Sequence, residues 1–101
     1  MRMMLTAQFP NEPFNTLVKK GQAGPAIGRI LEELKPEAVY FTEQHGGRCA
    51  VLIVDVKEPS QVPALAEPLF LAFNAECRFR IVMTPEDLGK AGLDSIGKAW
   101  A

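Results

Sequence analysis

Arg78 and Arg80, in the stretch Ala75-Glu76-Cys77-Arg78-Phe79-Arg80-Ile81-Val82-Met83, are the residues of this 101-residue chain best suited to hold an anion. Strand alternation puts both guanidiniums on one face, opposite Cys77, Phe79, Ile81 and Met83. A guanidinium in a partly dry site favours a carboxylate or phosphate, which it binds through paired hydrogen bonds. A solvated edge strand, on which charges deter strand-to-strand aggregation, accounts for the same pair equally well. Tyr40 would donate a hydrogen bond to a ligand or pack at an interface. Glu67 precedes Pro68, so a kink there would open a gap between helix and sheet with a carboxylate base at its mouth. The plainer account of Glu67 is a surface acid on an amphipathic helix. His45, next to Gly46 and Gly47, is either a base or a solvated turn residue.

The remaining chemistry is excluded more easily than assigned. No GxGxxG or GxxxxGK[ST] follows a strand, and no Ser/His/Asp or Cys/His constellation stands out. Cys49, Cys77 and His45 lack any CxxC or HxxxH spacing, so neither a metal nor another cofactor is expected. Both cysteines fall in predicted strands and read as small buried hydrophobes; a disulfide requires those strands to be adjacent. A net charge of -1 gives no field to recruit nucleic acid or an anionic membrane. No apolar run approaches the roughly 20 residues of a membrane span, and the N-terminus lacks the apolar core of a signal peptide. Sparse cysteine usage adds to a cytoplasmic expectation.

Positioning these residues requires a sheet. Four strands are expected over 2–9, 38–44, 48–56 and 75–83, and helices over about 12–35, 60–74 and 85–97, in a single domain spanning 1–101. Asn11 and Pro13 suit a helix start, while Gly21 and Gly24-Pro25 interrupt the first helix, so a bent helix or a short turn followed by a longer helix is expected. Gly46-Gly47 supplies the positive φ values for a tight hairpin. Ser60 is placed to cap the second helix, and Thr84-Pro85-Glu86-Asp87 reads as a cap and capping box before a short amphipathic tail ending in Trp100. Cys49-Ala50-Val51-Leu52-Ile53-Val54 contains no polar residue, which marks a central strand covered on both faces.

The order strand, helix, strand, strand, helix, strand is the split pattern of a ferredoxin-like α+β sheet, antiparallel with helices on one face. An even hairpin connection sets Val39 opposite Val54 and Phe41 opposite Leu52 beneath the helices. The uncovered face then collects Thr6, Gln8, Tyr40, Thr42, Gln44, Val51, Ile53, Arg78 and Arg80. A half-apolar face is poorly suited to water alone, and two copies packed sheet to sheet would enclose its polar part in a cavity. Thr6, Gln8, Tyr40, Thr42, Arg78 and Arg80 are the expected ligand-binding residues. Tyr40, Glu67 and His45 are the candidates for catalysis.

The element order and the stretches PEAVYFTEQHGGRCAVLIVDV and AEPLFLAFNAECRFRIVMTPEDL resemble small bacterial proteins of the dimeric α+β barrel superfamily, akin in fold to muconolactone isomerases and cofactor-free antibiotic-biosynthesis monooxygenases. That resemblance implies a homodimer with two facing sheets and small hydrophobic or acidic molecules bound beside them. It carries over no catalytic residue. The expected function is therefore a small-molecule-binding protein or cofactor-free enzyme acting on a small hydrophobic or acidic metabolite in a dimer cavity, with a small anionic or aromatic ligand as its partner; alternatively, a non-catalytic oligomerisation or binding module. RNA binding is disfavoured, because the third strand has no alternating aromatics for base stacking.

Overall fold

Alternation of Leu5, Ala7 and Phe9 with Met4, Thr6 and Gln8 makes the first strand two-faced, and the first set is buried while the second is only half-buried. The computed structural model describes Met1 to Ala101. In chain order it forms β1 (Arg2–Phe9), α1 (Asn11–Lys19), α2 (Ala23–Leu34), β2 (Ala38–Gln44), β3 (Gly47–Asp55), α3 (Val62–Phe73), β4 (Glu76–Ile81), α4 (Pro85–Lys90) and α5 (Leu93–Ala99), with a 3-10 turn at Pro59–Gln61 leading into α3. The fold is α+β. Its four strands make one open antiparallel sheet in the order β2-β3-β1-β4, so β3 and β1 are central and β2 and β4 are edges.

The helices α1, α2 and α3 cover one face. Phe14, Ile30, Leu34, Leu69 and Phe73 pack there on Leu5, Ala7, Phe9, Ala50, Leu52 and Val54. Three rings form the centre of this core: Phe9 lies 5.3 Å from Phe14 and 5.3 Å from Phe73, and Phe14 lies 4.9 Å from Phe73. Each such pair is worth about 0.5–1.5 kcal/mol beyond its buried area. Arg48 closes the cluster at the hairpin end. Its guanidinium sits 4.5 Å over the Phe14 ring and donates to Asn15 Oδ1 at 2.7 Å, tying α1 to β3.

Several local expectations are corrected. The β2–β3 turn is His45-Gly46, with φ of 54° and 77°, not Gly46-Gly47; Gly47 is already in β3, paired with Gln44. Both central residues of this two-residue turn have positive φ, and the pairing of β3 with β2 consequently shifts by two residues. Val39 faces Leu52 and Phe41 faces Ala50. Because the slip is by two residues, every side chain keeps its expected face. The helix expected over 12–35 is two helices, since Gly21 at φ 69° ends the first. Asn11 caps nothing there; the Glu12 carboxylate accepts from the Thr16 backbone N–H instead. Ser60 is likewise not the cap of α3. Gln61 Oε1 accepts from the N–H groups of Lys57 at 2.7 Å and Glu58 at 3.1 Å, which holds the 3-10 turn from which α3 grows. The last helix is split by Gly92 at φ 70°.

Thr84 and Asp87 form the expected capping box, with Asp87 N–H donating to Thr84 Oγ1 at 3.1 Å and Thr84 N–H to Asp87 Oδ2 at 3.0 Å. Beyond it the chain leaves the body. Every residue from Pro85 to Ala101 is exposed, and the molecule extends 60 × 28 × 19 Å with a radius of gyration of 17.1 Å, against about 13 Å for a compact domain of this length.

Candidate functional site

The face of the sheet turned away from the helices is organised in rows that run across all four strands. Thr42, Cys49, Gln8 and Glu76 make one row; Tyr40, Val51, Thr6 and Arg78 the next; Ala38, Ile53, Met4 and Arg80 the third. All six expected ligand-binding residues, Thr6, Gln8, Tyr40, Thr42, Arg78 and Arg80, are thus on this one face. Its centre is apolar, from Met4, Val51 and Ile53, all half-buried, and its edges are polar. β3 is central as expected, yet no part of the chain lies over Val51 and Ile53 on this side.

The two edges hold different chemistry. Arg78 and Arg80 stand on edge strand β4, where Arg78 Nη2 lies 3.9 Å from Glu76 Oε2, while Arg80 has no carboxylate partner. Tyr40, 67% exposed, stands on edge strand β2. Three inter-strand spacings of about 4.8 Å separate Tyr40 from Arg78 in its row, roughly 14 Å. One protomer therefore does not bring the tyrosine and the arginines onto the same small ligand.

At the hairpin end of the face, Gln8 reaches across its neighbour strand. Its Nε2 donates to the carbonyls of Gln44 at 3.1 Å and Arg48 at 3.2 Å, and its Oε1 is buried without a partner. The crossing is possible because Gly47 has no side chain: a Cβ there would stand 2.8 Å from Gln8 Nε2. Beside it the Cys49 thiol is buried and donates to Gln44 Oε1 at 3.3 Å, and burial raises its pKa. Cys77 lies under the helices on the other face, paired with Ala7, and burial pushes its thiol up to about 11. The two cysteines are on opposite faces with β1 between their strands, so no disulfide joins them, and both thiols are held protonated at neutral pH.

The three catalytic candidates are in three places. Tyr40 is on the open face, His45 is at the hairpin tip, and Glu67 is behind the sheet on α3. α3 runs unbroken through Pro68, with Ala66, Leu69 and Phe73 buried beneath it. The space between helices and sheet is a crevice of about 10 Å³ lined wholly by apolar side chains, room for at most one water. The expected gap under Glu67 is absent. That residue lies instead on the outer groove between α2 and α3, with Arg29 and Glu33 opposite.

No family model matches the chain, and no curated protein matches it.

Sequence reasoning missed Met4 as a member of the open face, although parity finds it, since Met4 alternates with Thr6; Glu76 falls on the face of Arg78 and Arg80, as strand alternation predicts. No three His, Cys, Asp or Glu residues gather where they could share a metal ion, and no helix is long and apolar enough to cross a membrane.

Proposed function

We propose that the chain is a ferredoxin-like protomer that pairs through its open sheet face into a dimeric α+β barrel and binds a small hydrophobic or acidic metabolite in the enclosed space. The strand order supports the fold assignment, because β3 lies between β1 and β2 and β1 lies between β3 and β4, the split arrangement in which each helical crossover skips one strand. The observation that carries the function is the open face itself: Met4, Val51 and Ile53 are half-exposed at its centre, with the unpaired Arg80 at its rim. Enclosing that face removes apolar surface from water at about 25 cal/mol per Å². The same enclosure strips water from Arg80, which then favours a carboxylate.

In this reading Arg80, with Arg78, holds the acid group, Thr6 on the neighbouring strand supplies a hydroxyl, and Val51 and Ile53 contact the apolar part. Isothermal titration with small aromatic and lactone carboxylic acids tests it. Saturable heat that falls at least tenfold in affinity in Arg80→Ala supports the binding site. No heat with any acid, or binding indifferent to Arg80→Ala, rejects it. A second reading, an oligomerisation module without chemistry, is favoured by the separation of Tyr40, His45 and Glu67. Complete filling of the open face by side chains of the partner would decide for it.

A further inference from the structure

Tyr40 and Arg78 stand at opposite ends of one row, too far apart to meet in a single chain, and the order of the rows decides how a second copy brings them together. Facing sheets stack about 10 Å apart with their strands within about 30° of parallel. A twofold axis between two open faces therefore runs either along the strands or across them. The first lays edge strand β2 of one copy over edge strand β4 of the other, and β3 over β1; the second lays β4 over β4.

An axis along the strands sets each row over itself in reverse order. Ile53 then faces the partner's Met4, an apolar contact at the centre of the face, and Val51 faces the partner's Thr6. Arg2 and Asp55 are register partners at the end of β1 and β3, so each meets the opposite charge on the partner. At the edge, Arg78 meets the partner's Tyr40. An axis across the strands, centred on the row of Tyr40, gives Arg80 the partner's Glu76. It also brings the two Arg78 guanidiniums together and lays Ile53 on Cys49 and Met4 on Gln8. Like charges so placed oppose association. Charge and apolar matching both select the axis along the strands.

We propose that the open faces meet about a twofold axis parallel to the strands, so that the partner's Tyr40 completes the acid site of Arg78 and Arg80. This arrangement rests on the pairing of open faces proposed above. A crossing of about 30° moves the facing edge strands by about 4 Å, little more than half the roughly 7 Å between rows, so the tyrosine stays within reach of Arg78. Tyr40 is 67% exposed and Arg80 has no carboxylate partner, so neither is committed within its own chain. The phenol O–H donates to the carboxylate that the guanidiniums hold, and its ring lies against their planes. One such site forms at each edge of the dimer.

Cross-linking reads the axis without a ligand. Tyr40→Cys and Arg78→Cys are made as separate chains in a Cys49→Ala, Cys77→Ala background, with circular dichroism and light scattering confirming folded dimers. A bismaleimide shorter than the roughly 10 Å between facing sheets should link the mixture of the two chains and neither chain alone. Thr42→Cys and Glu76→Cys, which face each other in the next row, serve where the first pair does not dimerise. Links within either chain's own dimers, or none in a dimeric mixture, overturn the proposal, and so does an unaltered chain that stays monomeric. Titration with benzoate reads the shared site: Arg80→Ala and Tyr40→Phe each lower affinity at least tenfold, and mixing the two restores tight binding at one site of each mixed dimer. No recovery on mixing overturns it. Linked chains with no heat from any acid retire the acid-binding reading and keep the axis; heat without the link retires the axis and keeps the reading.

Discussion

Gln8 and Gly47 define the hairpin end of the open face: the glutamine amide crosses over the glycine to reach the carbonyls of Gln44 and Arg48, and a Cβ on Gly47 would come within 2.8 Å of Gln8 Nε2. Gly47→Ala displaces that amide and breaks both bonds. Since each bond contributes about 0.5–1.5 kcal/mol net, the expected loss is about 1–3 kcal/mol in urea unfolding. Gln8→Ala removes the same bonds, so the double variant should cost clearly less than the sum of the singles. Strict additivity would show that the two residues are not coupled.

His45 occupies a left-handed backbone conformation, φ 54°, in a turn where asparagine or glycine is the favoured residue. A non-glycine residue there carries a penalty of about 1–2 kcal/mol that asparagine partly relieves. His45→Asn should therefore raise the urea midpoint slightly and leave any ligand binding unchanged. A loss of binding or turnover in that variant would give His45 a chemical role and overturn its reading as a turn residue.

The faces of the sheet were legible in the sequence because strand alternation has a period of two, and even a slipped register preserves it. Val39 and Phe41 lie on the helix side whether they meet Val54 and Leu52 or Leu52 and Ala50. The slip itself was not legible. His45-Gly46-Gly47 offers two ways to place a two-residue turn, and the one adopted puts Gly47 in β3, where the Gln8 amide, far away in sequence, crosses over it. The Thr84–Asp87 capping box is a local signal and was read correctly. That the helices after it lie off the body depends on tertiary geometry, which Leu93, Ile96 and Trp100 do not announce, since an apolar stripe reads the same whether it faces a core or a partner. The kink expected at Pro68 is absent for a related reason: proline in a helix permits a kink, but Ala66, Leu69 and Phe73 hold α3 on the sheet through it, which leaves Glu67 a surface acid.

Cys77 supplies a pH test. Burial raises its thiol from the ordinary value of 9.0 to about 11, so the native state binds that proton more tightly than the unfolded chain does. The stabilisation is complete below pH 9.0 and is lost as pH rises through about 11. Native protein should react slowly with a thiol reagent at pH 8, both cysteines reacting at once in denaturant, and Cys77→Ala should flatten the alkaline fall in stability. Labelling of half-buried Cys77 in the native protein as fast as in denaturant would contradict its raised pKa.

The pairing of open faces depends on the apolar centre more than on the charged rim. Val51 sits in the central strand between Tyr40 and Thr6, half-buried in the single chain and fully enclosed in the proposed dimer. Val51→Glu leaves the carboxylate partly hydrated in a monomer but dry in a dimer, where an unpaired charge costs several kcal/mol. The expected result is a folded monomer by light scattering at concentrations where the unaltered chain is dimeric. Arg78→Ala, at the rim of the same row, should weaken dimerisation by less than tenfold, because an exposed ion pair is worth about 0–1 kcal/mol. If Val51→Glu dimerises as well as the unaltered chain, the open face is not the contact.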